Sequence, residues 1–255
     1  MRFINPTLIG LEFRRISRTP SMLVPALGLP CLLLLIAAGG QASGVLDKQG
    51  VTVALSKFVT FSVQAAAIHA MATSIAWDRE SRYLMILRGM PMPFSGYVTA
   101  KLVTAFSLCA ASMLAIFVTL RLAFDFSLPL TMAATLIGVQ LIAAVPTMVA
   151  GSIVGVTAPP AAAAGMASLL LFPLGYVSSL LDWKPIKWPG LADSLVMPPP
   201  YHAAHATNEI LSAQLGLPAG PVASWREVAL GMGAVSFIWV LALSAVLWII
   251  LRRRA

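Results

Sequence analysis

Ser62, His69 and Thr73 stand together in a long apolar run, and at helical spacing they share one stripe. Ala65, Ala66 and Ala76 lie beside that stripe, while Ile68, Met71 and Ile75 lie opposite, together with Gln64. An ionisable side chain deep in an apolar helix is a functional candidate by default. His69 can line a transport cavity or serve as the base of an intramembrane enzyme. The same small, polar face also suits tight helix packing with hydrogen bonds between helices. Ser62, His69 and Thr73 are therefore candidate cavity-lining residues, with packing as the competing role.

Other catalytic and metal signals are sparse. No G-x-S-x-G accompanies His69. His202 and His205 stand three apart, close enough to share an ion, but no third ligand stands out and no metal site is assigned. Cys31 and Cys109 both fall in apolar runs, where cysteine acts as a small apolar side chain. ATP hydrolysis needs a phosphate cradle, G-x-x-x-x-G-K-[ST], and no lysine here follows a glycine. The chain is expected to bind no cofactor and not to be an enzyme itself.

Charge is concentrated in one place. "WDRESRYLMILRGMPMP" runs from Trp77 to Pro93, and Asp78, Arg79, Glu80, Arg82 and Arg88 fall within it, although only 10% of the chain is charged. Asp78 can cap a helix and pair with Arg82 at i+4. Leu84 and Leu87 make an apolar step, Gly89 suits a C-terminal cap, and Pro91 blocks continuation. The segment reads as a short helix able to dock its apolar step on a soluble partner.

The elements around these residues follow from hydropathy. The chain has 255 residues, 59% of them hydrophobic, and a mean hydropathy of +0.88. Soluble domains are about 45–50% apolar and about 25% charged. Charge is absent from Thr19–Leu46, Phe58–Trp77, Leu102–Leu120, Phe126–Leu181 and Val228–Leu251. A spanning helix needs about 20 apolar residues, and the longest run holds two, divided at Pro159–Pro160. The expectation is a single all-α integral membrane domain over residues 1–255. It has six transmembrane helices, at about 21–39, 57–77, 98–120, 128–150, 161–181 and 228–251. Gly151 and Gly155 form a G-x-x-x-G that permits close helix packing.

An N-terminal interfacial helix is expected at about 5–18, capped by Asn5 with Pro6 first, its face formed by Ile9, Phe13 and Ile16. Residues 182–227 contain seven prolines and three of the six tryptophans. They are expected to form short re-entrant outer helices before span six. Trp183, Trp188, Pro200 and Tyr201 are the candidate outer gate.

The net charge of +8 does not indicate nucleic acid, because the basic residues sit at the ends of apolar runs. Six spans put both termini on one side. Eleven of the seventeen Lys and Arg fall there: Arg2, Arg14, Arg15, Arg18, Arg79, Arg82, Arg88, Lys101 and Arg252 to Arg254. The positive-inside rule makes that side cytoplasmic and the protein a multi-pass protein of the cell membrane. A cleavable leader is the alternative for the N-terminus, with "LPCLLLLIAA" as its core.

The charged stretch resembles the coupling region of ABC-2 family permeases, the membrane-spanning subunits of ATP-binding-cassette transporters. That family shows R-E, then G-T-L-E, a leucine, a proline, and a tyrosine ahead of G-K. Here Arg79-Glu80, "RYLM" at 82–85, Leu87, Pro91, Tyr97 and "AK" at 100–101 take those places. Arg82 and Tyr83 replace Gly-Thr, and Met85 replaces the second acid. "WPGLADSLVMPPPYHAAHATNEIL" resembles the family's segment before the last span.

The resemblance implies two permease halves, identical or related, and two ATPase subunits that carry ATP and Mg. The coupling helix between spans two and three would contact them through Asp78, Arg79, Glu80, Arg82, Leu84, Leu87 and Arg88. The implied function is export of a drug-like, antibiotic or lipophilic substrate. Polysaccharide or lipid export, an intramembrane enzyme at His69, and a non-transporting scaffold or immunity protein are the alternatives.

Overall fold

The computed structural model describes residues 6–28, 31–32, 34–36, 48–89, 94–124, 128–177, 198–214, 216 and 225–254. All regular structure among them is helical. The order is α1 (Pro6–Ile16), α2 (Pro20–Leu23) running into a π-helical turn (Val24–Gly28), and α3 (Lys48–Glu80). Then follow α4 (Tyr83–Gly89), α5 (Phe94–Phe124), α6 (Leu130–Thr157), α7 (Pro160–Val177), α8 (Pro199–Gln214) and α9 (Trp225–Arg254).

Among the described residues, four helices are long and apolar enough to cross a membrane: Thr52–Glu80, Ser95–Leu122, Leu130–Thr157 and Gly231–Arg252. This is an all-α membrane protein. The expected spans at 57–77, 98–120, 128–150 and 228–251 correspond to these. The expected fifth span is the shorter α7, which starts at Pro160 as the Pro159–Pro160 break requires. The expected first span falls on α2, its π-helical continuation and a segment mostly outside the described residues.

α3 is the hub. It packs on α5, α6, α7 and α8, while α9 touches mainly α6 and α8. Its apolar window is 89% buried, against 11% for that of α9. Side-chain size explains the choice of centre. Ala65, Ala66, Ala67, Ala70, Ala72 and Ala76 are all buried on α3, so neighbouring backbones come close. α6 meets it through the two glycines. A Cβ on Gly151 would lie 2.6 Å from the Ile68 carbonyl oxygen, and one on Gly155 would lie 2.8 Å from Cβ of Ile75. The G-x-x-x-G lies in the α3–α6 contact.

The amphipathic N-terminal segment does form α1, with Pro6 first; Asn5 lies outside the described residues. Its buried face is Leu8, Glu12 and Ile16, not Ile9, Phe13 and Ile16. Phe13 is 42% exposed. The helix is rotated so that an acid, Glu12, sits mid-face, because a buried cation waits for it on α5. α8 is the described part of the outer segment, and it is drawn inward. Ala203, Ala206, Thr207, Ile210 and Leu211 are buried.

The close approach makes a test. Gly151→Ala forces backbone apart, and overpacking of this kind costs about 1–3 kcal/mol. Gly138→Ala, on the same helix with nothing within 4 Å of the new methyl, is the control. Thermal unfolding in detergent is expected to fall for Gly151→Ala and to stay level or rise for Gly138→Ala.

Candidate functional site

α3 stops at Glu80, and its last turn carries an acid and a base in succession. The base, Arg79, donates to the carbonyl oxygens of Val156 and Ala158. Those groups end α6, where helix carbonyls lack partners and a cation is favoured. The acid, Asp78, turns the other way and is 1% exposed.

Asp78 is the centre of a buried charge cluster drawn from three helices. Its Oδ1 accepts from the Arg15 guanidinium of α1. Its Oδ2 lies 2.6 Å from Nζ of Lys101 on α5 and accepts from the Tyr97 hydroxyl at 2.8 Å. Lys101 Nζ also reaches Oε1 of Glu12, on α1, at 2.7 Å, and it stands 5.3 Å from the centre of the Tyr97 ring. The Lys101 side chain is 2% exposed, while that of Arg15 is 35% exposed and is the edge open to water. Two carboxylates meet two cations, so the formal charge of the cluster is zero. Tyr83, the first residue of α4, feels the same acids. Partial burial, then Glu12 and Asp78, raise its phenol above the usual value near 10.

These contacts correct two expectations. Asp78 neither caps a helix nor pairs with Arg82; its oxygens are taken by Arg15, Lys101 and Tyr97. The short helix begins at Tyr83, not Asp78. Ser81 and Arg82 form the break, with Arg82 at φ +56°, the left-handed region. α4 spans Tyr83–Gly89. Asp78 therefore has no surface to offer a partner. Glu80 and Arg82 are exposed, and Arg79 is partly buried against α6. Leu84, Leu87 and Arg88 lie in α4, with side chains outside the described ones. Two apolar residues of the same helix, Met85 and Ile86, are 68% and 55% exposed. Glu12, Tyr97 and Lys101 were also missed as one site. The usable signal was a lone cation and a tyrosine four residues apart at the mouth of an apolar run.

The second candidate group is interior. His69 Nδ1 donates to the Ala65 carbonyl at 2.8 Å, and Nε2 lies 3.0 Å from the Ser168 hydroxyl, which itself donates to the Ala164 carbonyl at 3.1 Å. Thr73 donates to the His69 carbonyl, and Ser62 bonds to Ser112, which donates to the carbonyl of Ala26 in the π-helical turn. Histidine beside serine has the elements of a nucleophile and its base. Acyl transfer also needs donors aimed at an oxyanion. The surrounding amides here are mid-helix and committed to helical bonds. The arrangement acts as a hydrogen-bonded seam between α3 and α7.

The described pocket lies elsewhere. A cavity of about 440 Å3 opens between α6, α7, α8 and α9, with Pro146, Thr147, Pro173, Pro200 and Trp239 in its wall. Ser62, His69 and Thr73 do not line it; they are consumed by helix contacts. Of the outer-gate candidates, Trp183 and Trp188 lie outside the described residues. Pro200 lines the cavity at the start of α8. Tyr201 sets its ring edge-on to those of His202 and His205, at 5.5 and 6.4 Å. His205 Nδ1 lies 3.3 Å from Glu209. No group of three potential metal ligands occurs among the described residues.

Comparison with family models, with curated proteins and with solved structures finds no match for this chain.

The charge cluster predicts a large asymmetry between single and double variants. Lys101→Met leaves two buried carboxylates short of a cation, and breaking a buried pair from one side costs about 3–5 kcal/mol. Adding Glu12→Gln to it removes one surplus charge and is expected to restore part of the loss. Thermal unfolding of the two singles and the double gives the coupling directly.

Proposed function

We propose that this chain is the permease subunit of an ATP-binding-cassette exporter of the ABC-2 type. The observation that carries the reading is the junction at Glu80–Tyr83. A short helix with two exposed apolar side chains, Met85 and Ile86, hangs by one strained residue from a helix end fixed on three sides. Arg79 fixes it to α6, and the Asp78 cluster fixes it to α1 and α5. That is the construction expected of a part that receives a push from a soluble partner and passes it to membrane helices. Tyr97 and Lys101, which occupy places in the resemblance to the ABC-2 coupling region, converge on Asp78.

In this reading six segments cross the cell membrane, and both termini and α4 face the cytoplasm. ATP and Mg are held by two partner ATPase subunits, and a second permease half, identical or related, completes the path. The cargo is drug-like, antibiotic or lipophilic. Met85 and Ile86, with Glu80 and Arg82 beside them, contact the ATPase; Leu84, Leu87 and Arg88 belong to the same helix.

The test combines Met85→Asp with Ile86→Asp. A carboxylate forced into an apolar contact costs several kcal/mol, and about 1.4 kcal/mol is already tenfold in binding. Both positions are exposed, so the variant is expected to fold and reach the membrane. It should lose the co-purifying ATPase and ATP-dependent export together. Retention of both at wild-type levels would sink the reading. Cysteines at Ser81 and His205, in a chain lacking Cys31 and Cys109, are expected to label from opposite sides of intact cells.

A further inference from the structure

The cavity between α6, α7, α8 and α9 has no role in the charge cluster, and its wall states what it can hold. Ile153, Leu170, Leu174 and Trp239 are apolar. The polar side-chain groups in the wall are the indole N–H of Trp239 and the Thr147 hydroxyl, which already donates to Oε1 of Gln64. Water needs two to four polar partners to occupy a cavity, and apolar cavities stay dry. The wall is also rich in proline. Pro146 and Pro173 stand inside helices α6 and α7, and Pro198, Pro199 and Pro200 close one end at the start of α8. Proline fixes its own backbone and has no long side chain to fold into the gap. The space of about 440 Å3 falls within the roughly 300–1,000 Å3 of small-ligand sites.

The surroundings identify the occupant. α6 and α9 are of spanning length. Next to the wall residues, on the outer faces of α7 and α9, Leu169, Phe172, Phe237 and Leu241 are 72%, 59%, 63% and 55% exposed. Such faces meet hydrocarbon in a bilayer. The molecule at highest concentration beside this cavity is therefore a membrane lipid, and only its hydrocarbon part matches the wall.

We infer that the cavity is a binding site for one acyl chain of a membrane phospholipid, inserted between α7 and α9 with its headgroup outside the wall. The inference needs the membrane setting and does not depend on the export reading. The bound chain completes the packing of α8, whose first turn otherwise borders empty space on the cavity side while its other face is buried against α3 and α6.

The test uses a phosphatidylcholine with a photoreactive diazirine in its acyl chain, titrated into the full chain in maltoside micelles. Labelled residues are mapped by mass spectrometry. Labelling of Leu170, Leu174 and Trp239 is expected to saturate, to exceed that of Phe237 and Leu241 several-fold, and to be displaced by unlabelled phosphatidylcholine. Ala150→Trp fills the cavity and should erase the excess while leaving labelling of the outer face unchanged. Should that variant fail to give a cooperative thermal transition, Leu243→Trp fills the same space from α9, the helix with least buried surface. Non-saturating labelling, labelling equal on wall and outer face, or labelling indifferent to both fillings would overturn the proposal. Displacement by oleate but not by phosphatidylcholine would overturn it in favour of a free fatty acid.

Discussion

Asp78 carries a carboxylate where almost no water reaches, and the arrangement of three helices follows from that. An ion taken out of water costs several kcal/mol even after relaxation, repaid only when close counter-charges and hydrogen bonds replace the solvent. Lys101, Arg15 and the Tyr97 hydroxyl supply them. Lys101 in turn needs more than a shared oxygen of Asp78, and Glu12 supplies the second. Because the four charges come from α1, α3 and α5, none of these helices can slide without stranding a buried ion. A buried cluster of this kind adds little net stability over an apolar plug. What it adds is register: only one placement of α1 against α5 satisfies every charge.

The same logic runs along α3 at lower stakes. Thr52, Ser56, Thr60 and Gln64 recur every fourth residue and are all buried. Thr60 meets Gln140 of α6, which also donates to Thr207 of α8, at 2.7 and 2.9 Å; Gln64 meets Thr147. In hydrocarbon surroundings apolar residues do not distinguish inside from outside, since lipid is as apolar as leucine. Small residues allow close approach, and hydrogen bonds between helices are satisfied only in the correct pairing. α3 has both and sits at the centre; α9 has Phe237, Leu241, Trp248 and Ile249 exposed and sits at the edge.

This explains what was legible in the sequence. Length and hydropathy locate the long helices, though α3 starts nine residues before its expected span and α6 runs seven beyond its own. Pro159–Pro160 and the G-x-x-x-G are read correctly because each acts through its own backbone. The rest depends on partners distant in the chain. Periodicity groups Ile9, Phe13 and Ile16 on one face of α1 but cannot show that Glu12 is buried, because Glu12 is drawn in by Lys101, 89 positions away. Asp78 was paired with Arg82 because i+4 is the nearest solution; the structure uses Arg15 instead, 63 residues distant. For His69 the sequence leaves cavity lining and interhelical packing both open, and its ring bonds to Ala65 and to Ser168, the second of these 99 residues off.

A mechanical consequence follows from combining the cluster with the seam. α3 has 33 residues, so at 1.5 Å each it is about 50 Å long. Its one end is locked to α1, α5 and α6 by ions, and its middle is locked to α6, α7 and α8 by Gln140, Thr147, Ser168 and Thr207. Between α3 and α4 there is only Ser81 and Arg82, with Arg82 in a backbone conformation that non-glycine residues rarely adopt. Force applied at α4 therefore has two outlets. Small displacements are absorbed at Arg82, where no buried bond is lost. Larger ones must move α1, α3 and the start of α5 as one body, because separating them exposes an unpaired charge. Such a body carries its motion along α3 to Gln140 and Thr207, and hence to α8 and the proline-walled cavity at its first turn.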